Sequence, residues 1–379
     1  MADAMTNDQA ILMIANSELD SNLYYATKFL APDPFIFIQT NGQKTLVMSD
    51  LELDRARSQA RVGEVLSYSS VEQKLKEKGL ADPKTTDVVD ACLKERGVKR
   101  LLVPGDFGFR HAQSLQSKGY TLTVKPDPFF EDRVLKSSEE IEAITQTQRA
   151  TEAAVLAAIE VIRESKIKKD ELHGSEGVLT SEAIKKIINV KLMEMDCIAQ
   201  HTIVACGIQG CDPHDEGSGP LRLNQSIVMD VFPRSGRTRY YADMTRTVVK
   251  GRASDALRKM YDTVRRGQEE GIAMVRDGAD GRAIHQRIMT LFEQSGYPTG
   301  PKNGRMQGFF HGTGHGVGLD IHEPPRISKA EWTLKAGEVV TVEPGLYYPE
   351  IGAVRIEDLV VVTRTGCENL TRFPKVLEL

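Results

Sequence analysis

The 379-residue chain has one tryptophan, five cysteines and no apolar run of the length a membrane-spanning helix requires. Cys92, Cys197, Cys206, Cys211 and Cys367 are too few and too scattered for a disulfide framework. Cys206 and Cys211 have a spacing that can clip a metal, but two reduced thiols beside a glycine-rich turn is the weightier reading. A reducing cytoplasm fits best. The N-terminus (MADAMTNDQAILMIANSELD) places acids before a short apolar patch and has no basic stretch, so it does not read as a secretory signal. Charge of one sign is also missing: 49 Lys and Arg stand against 53 Asp and Glu, a formal net charge of -4. That balance offers no bulk attraction to nucleic acid or to an anionic membrane.

What is present is an ordinary globular balance, 40% hydrophobic and 27% charged, in a chain longer than one core usually supports. Two domains are expected. In the first third, PFIFIQ and KTLVMS flank N-G-Q, a hairpin signal. RLLVPGDFGF and HAQSLQSKGYTLTV read as strand, turn, helix and strand, without phosphate-binding spacing. Periodicity lapses in the proline-rich KPDPFFEDR, which sets a boundary near residue 130. Beyond it, Ser137 and Glu140 form a capping box for a long helix whose face carries Ile141, Ile144, Val155, Ile159 and Ile162. A second helix covers TSEAIKKIINVKLMEM, and the strands HTIVACG, SIVMDVF and TRYYADMTRTVV follow. The plan then recurs. One helix is marked by Leu257, Met260, Tyr261 and Val264, another by Ile284, Ile288 and Leu291, before the strands EVVTVEPGLYY and AVRIEDLVVV.

The most informative feature is acid within these strands. Asp230 lies inside IVMDVF, Asp243 in YYADMTRT, Glu343 inside VVTVEPG and Glu357 inside VRIEDLVVV. Strands so rich in β-branched residues are buried on at least one face, where a lone carboxylate is costly. Pairing with Arg246 or Arg355 would explain one such acid. Four in one half of the chain point instead to convergence on cations, since two divalent ions balance four carboxylates. The segment FFHGTGHGVGLDIHEPPRIS adds His311, His315 and His322 among closely spaced glycines, which let backbone approach a ligand. Its spacing is not that of a dinucleotide fingerprint.

Together, TGHGVGLDIHEPPR, TVEPGLYY, VRIEDLVVV and YYADMTRT resemble the metallopeptidases of pita-bread fold. That family includes methionine aminopeptidases, aminopeptidase P and prolidase, and the metal-free creatinases. SNLYYATKFLAPDP is similar to the N-terminal domain of the prolidase and aminopeptidase P branch, which methionine aminopeptidases lack. The resemblance implies an α+β protein: a creatinase-like α/β domain over 1–130 and a pita-bread catalytic domain over 135–379. It implies five metal ligands. Asp243 and Glu357 would bridge two divalent ions, Asp230 would complete one, and His315 with Glu343 the other. Creatinases have lost this set, so metal-dependent hydrolysis by a bridged hydroxide is expected here. Oxygen-rich ligation with one imidazole suits Mn²⁺, with Co²⁺, Fe²⁺ or Zn²⁺ as substitutes.

The resemblance also implies that Glu343 shuttles a proton, that His322 stabilises the developing oxyanion, and that His214 contacts the peptide near the scissile bond. His201 matches that last position less well. Arg326 corresponds to an arginine that binds a dipeptide's free carboxylate in prolidases; Arg355, beside Glu357, is a second substrate-side candidate better suited to orienting the site. Two departures stand out. Phe232 occupies a position where the family usually has glycine, and the two aspartates are two positions further apart than in the family pattern. An even insertion in a hairpin keeps both on one face. The expectation is a cytoplasmic, homodimeric Xaa-Pro dipeptidase acting on short proline-containing peptides. An Xaa-Pro aminopeptidase acting on longer peptides is the near alternative, and a peptide-binding module without catalysis the distant one.

Overall fold

A computed structural model describes residues 8–379; residues 1–7, which carry the acidic start of the N-terminal segment, lie outside the described residues. The chain divides into two compact units, Met1–Glu131 and Asp132–Leu379.

The N-terminal unit is built on six strands: β1 (Gln9–Ala15), β2 (Phe35–Thr40), β3 (Gln43–Met48), β4 (Glu64–Ser67), β5 (Arg100–Pro104) and β6 (Thr121–Lys125), in sheet order β4-β3-β2-β1-β5-β6. The N-G-Q signal is the β2–β3 hairpin, where Asn41 and Gly42 take φ of 49° and 78°. Successive residues of β1 feed opposite faces, as the pleat requires: Ala10 and Leu12 join one core, Ile11 and Met13 the other. Helices α1 (Ser21–Thr27) and α2 (Leu53–Gln59) cover one face. The other is covered by α3 (Tyr68–Glu77), α4 (Thr85–Glu95) and α5 (Phe109–Ser117). A sheet buried on both sides explains the continuous apolar runs of its central strands.

The C-terminal unit opens with α6 (Ser138–Glu164). Ser137 Oγ accepts from Glu140 N at 3.3 Å, and Glu140 returns the bond to Ser137 N at 2.9 Å. Ile144, Val155, Ile159 and Ile162 of the expected face are buried, each contributing about 1.5–3 kcal/mol, while Ile141 at the helix start stays partly exposed. With α7 (Ser181–Met193), α6 packs on a sheet of β7 (Ile203–Cys206), β8 (Ser226–Val231) and β9 (Met244–Val249). The second helix pair, α8 (Asp255–Met274) and α9 (Gly281–Gln294), packs against a separate core. Its five-stranded sheet has the order β11-β10-β12-β15-β16, where β10 is Gly314–Gly316, β11 Glu323–Ile327, β12 Val339–Val342, β15 Asp358–Val362 and β16 Cys367–Asn369. A hairpin of β13 (Gly345–Tyr348) and β14 (Gly352–Arg355) lies between them in sequence. Each helix pair therefore has its own sheet, the physical form of the recurring plan.

Three expected strands are shorter or divided. TRYYADMTRTVV is strand only from Met244. EVVTVEPGLYY breaks at Glu343–Pro344, where proline has no N–H to give a ladder, and AVRIEDLVVV breaks at Ile356–Glu357. Glu343 and Glu357 thus sit at junctions between sheets rather than within strands.

Candidate metal centre

Register brings the acids together. Asp230 on β8 is opposite Thr245 on β9, and Asp243, two residues earlier, shares its face. In the other sheet Val342 pairs with Asp358, so the next residues outward, Glu343 and Glu357, leave β12 and β15 side by side. Glu357 N donates to Thr245 O at 3.1 Å and ties the two sheets at this point. His315 sits mid-way along β10 between two glycines that the packing demands. A Cβ on Gly314 would lie 1.9 Å from Thr341 O, and one on Gly316 2.2 Å from Pro324 O.

The nine residues to which the resemblance gives site roles all line one cavity of about 780 Å³: Asp230, Asp243, His315, Glu343, Glu357, His214, His322, Arg326 and Arg355. Ligand atoms of Asp243, His315 and Glu357 lie within 4.8 Å of one another. His315 Nε2 is 3.6 Å from Asp243 Oδ2 and 3.4 Å from Glu343 Oε1. Its Nδ1 lies 3.2 Å from Gly316 O, which assigns the proton to Nδ1 and leaves the Nε2 lone pair facing the acids. Burial, with His322 adding, pulls the His315 imidazole down to about 3, so it is neutral. The His315 and His322 rings stand perpendicular, 4.4 Å between centroids.

Two carboxylates are each held by one oxygen, with the other left bare. Arg355 Nη2 donates to Asp230 Oδ2 at 2.7 Å, and Thr245 Oγ1 donates to Glu357 Oε2 at 2.8 Å. Asp230 Oδ1, Asp243 Oδ1 and Glu357 Oε1 are buried without any hydrogen-bond partner. Burial, then the neighbouring carboxylates, pushes Asp243 and Glu357 well above the ordinary carboxylate range and Glu343 up to about 8. Bare buried oxygens on crowded acids are a cost that a bound cation removes. Hard oxygens with one neutral imidazole fit divalent ions of the Mn²⁺ type.

Sequence reasoning missed several supporting residues. Arg355 also donates to Tyr347 OH at 3.0 Å and Thr245 Oγ1 at 3.3 Å, so one guanidinium braces Asp230 directly and Glu357 through Thr245. Tyr347 in turn donates to His311 Nε2 at 2.8 Å, because His311 Nδ1 lies 2.7 Å from Gly312 O and carries the proton. Gln148 on α6 accepts from Asp243 N at 3.3 Å. Thr245 was findable, two residues after Asp243 on the same strand face; Tyr347 and Gln148 carried no local signal. Arg246 belongs elsewhere: its guanidinium pairs with Asp358 at 2.8 Å. Phe232 lines the cavity, and the longer turn beyond it holds Arg234–Ser235, paired with Cys197–Ile198. His201, largely exposed at the rim, pairs with Glu216 at 2.7 Å.

The chain is similar to known proteins along most of its length. Residues 142–364 match the model of metallopeptidase family M24. The chain is 28% identical over 360 residues to an Xaa-Pro dipeptidase of Pyrococcus furiosus, covering 94% of this chain and 92% of that one. The solved prolidase from Pyrococcus furiosus superposes with a TM-score of 0.78 at 25% identity, covering 97% of both chains. An X-Pro aminopeptidase structure from Thermotoga maritima MSB8 gives 0.80 at 23% identity, over 98% of this chain and 97% of that chain. The fold is α+β, a pita-bread unit preceded by a smaller α/β unit, as the sequence resemblance implied. With more than half of its length matched by the family model, the chain belongs to metallopeptidase family M24.

Proposed function

We propose that the chain is a metal-dependent Xaa-Pro peptidase, and specifically a dipeptidase. The observation that carries the catalytic reading is the set of three buried, unpartnered carboxylate oxygens facing one cavity with a neutral imidazole. A peptide-binding module has no need of them. Asp230, Asp243, His315, Glu343 and Glu357 would hold two divalent ions, Mn²⁺ first among them, with Co²⁺, Fe²⁺ or Zn²⁺ as substitutes. Bound there, such ions supply positive charge to polarise a scissile carbonyl and to acidify water.

The chain's own groups supply the rest. Arg355 and Thr245 fix which oxygen of Asp230 and of Glu357 stays available. Glu343, facing the cavity beside His315 Nε2, is suited to take a proton at its carboxylate and pass it to the leaving nitrogen. His322 and His214 line the cavity with exposed rings, placed to donate to the carbonyl oxygen and to contact the peptide backbone. Arg326 faces the same cavity, and among the described residues no carboxylate lies within ion-pair distance of it. A free guanidinium is a good seat for the carboxylate of a dipeptide. That supports short substrates.

Hydrolysis of Ala-Pro and of Ala-Pro-Ala, each with and without Mn²⁺, tests the reading. Cleavage of the tripeptide alone would make the protein an aminopeptidase, and activity surviving exhaustive chelation would remove the metal. All five cysteines are unpaired, which supports a reducing compartment such as the cytoplasm. Among the described residues no helix is long and apolar enough to cross a membrane. Sedimentation velocity checks the homodimer.

A further inference from the structure

Apart from the ligand set, the C-terminal unit contains a second charged cluster, and it lies under the segment that carries His322. Glu323 is 6% exposed. Its Oε1 accepts from Lys136 Nζ at 2.7 Å, and its Oε2 from Arg133 Nη2 at 2.8 Å and Asp320 N at 3.3 Å. The Lys136 side chain is only 1% exposed, and its Nζ also reaches Val134 O at 3.2 Å. Lys136 N donates to Gly337 O at 2.8 Å, so the cationic segment is itself anchored. The carboxylate fills the space beneath Gly318, where a Cβ would lie 2.4 Å from Glu323 Oε1.

Strand alternation gives this cluster its consequence. Gly316 and Glu323 are register partners, so residues 317–322 form a loop closed at its base. Glu323, Pro325 and Ile327 are buried on one face of β11, while His322 and Arg326 lie on the other and line the cavity. Among the described residues, no protein hydrogen bond or ion pair fixes the side chain of either. The His322 ring rests edge-on against His315, and the placement of both residues otherwise follows the backbone between them, which strand pairing with β10 and the buried Glu323 together fasten.

We propose that Glu323, Lys136 and Arg133 are positioning residues that clamp the His322–Arg326 segment over the cavity and so set its preference for a free carboxylate. The inference rests on the peptidase reading above, in which His322 and Arg326 meet the substrate. A displacement of about 1 Å in such groups costs on the order of 10²-fold in rate.

The test uses the full-length, Mn²⁺-loaded protein with Ala-Pro and Ala-Pro amide, beside hydrogen–deuterium exchange of residues 317–327. Variants are Glu323→Gln and the double Lys136→Met, Glu323→Gln; should the single fail to fold, the double removes the buried lysine charge and leaves Arg133 paired with Asp320 at 2.8 Å. Both are expected to lose about 10²-fold in kcat/KM on Ala-Pro. KM should rise, the ratio of Ala-Pro to amide should collapse, and exchange of 317–327 should quicken while Mn²⁺ affinity is unchanged. Lys136→Arg, which keeps the charge, should keep the wild-type ratio. Wild-type ratio and exchange in the folded variants would overturn the clamp, as would an equal loss on both peptides with exchange unchanged. If the wild type cleaves neither peptide, it is the peptidase reading that fails. Exchange alone then decides the clamp, and unchanged exchange overturns it.

Discussion

Glu357 and Asp358 are neighbours in sequence, each 1% exposed, yet they belong to opposite electrostatic regions. Asp358 points to a core where Arg246 and Lys375 each approach at 2.8 Å and Asn369 donates at 2.9 Å. Although burial opposes its charge, those two cations hold its carboxyl below the ordinary range. Glu357 turns the other way, toward Glu343 and Asp230; among the described residues only Thr245 bonds its side chain, and its carboxyl is raised. One step along the chain reverses the side chain's face, and with it the meaning of a buried acid. The paired acid holds the fold. The bare one is poised for a cation.

The comparison breaks most visibly if Glu357 proves dispensable. Glu357→Ala and Asp243→Ala should each lower Mn²⁺-dependent turnover of Ala-Pro by about 10³-fold or more, since several kcal/mol of charge stabilisation depend on ions those groups hold. The same variants should leave the metal-free protein no less stable, because each removes a crowded, raised-pKa acid. Near-normal turnover in either would refute the two-ion assignment. Asp358→Asn should do the reverse. Breaking one partner of a buried pair leaves Arg246 uncompensated and costs about 3–5 kcal/mol of stability, measured by urea unfolding, while Mn²⁺ still binds. An unaltered unfolding midpoint would erase the distinction between the two regions.

How much of this was legible depends on the range of the signal. The hairpin at Asn41–Gly42, the capping box at Ser137 and the helix faces are local patterns, and they were readable. So was the ligand set, because acid in a β-branched run is anomalous wherever it occurs. The junctions at Glu343 and Glu357 were not. An apolar run reads alike whether it stays in one sheet or changes sheet midway, and only Pro344 hinted at the break. The roles of Arg246 and Arg355 were illegible for another reason. Arg246 closely follows Asp243 and Arg355 closely precedes Glu357, but which acid each meets is fixed by partners more than a hundred positions away, Asp358 for Arg246 and Asp230 for Arg355.

A smaller effect sharpens the cavity side of the comparison. Among the described residues Arg326 is a cation without a carboxylate, the complement of Glu357 as a carboxylate without a cation. Arg326→Gln should weaken Ala-Pro binding by about 1.5–3 kcal/mol, the worth of a charge-assisted bond, and leave Ala-Pro amide nearly unchanged. Equal losses on both would mean that Arg326 shapes the cavity rather than reading the carboxylate.

The smallest effect concerns the metal-free protein and turns on sign. Between pH 6.5 and 8 the acids of an unfolded chain are ionised, while in the folded chain Glu343 keeps its proton until about 8 and Asp243 and Glu357 are raised as well. The native state then binds more protons than the unfolded one, so stability falls as pH rises, by about 1.4 kcal/mol per pH unit for each proton retained. At the lower end of that window and below it, His311 and His315, both pulled to about 3 by burial, act oppositely: the unfolded imidazoles charge near pH 6.5 and the folded ones do not. Chelated protein should therefore melt at progressively lower temperature from pH 6.5 to 8. Saturating Mn²⁺ should reverse the trend, because the ions bind the deprotonated ligands and their affinity grows with pH. A melting temperature that rose with pH in the chelated protein would mean that the cavity acids are already ionised without metal. The bare oxygens of Asp230, Asp243 and Glu357 would then need some partner other than a divalent ion, and the contrast with Asp358 would lose its basis.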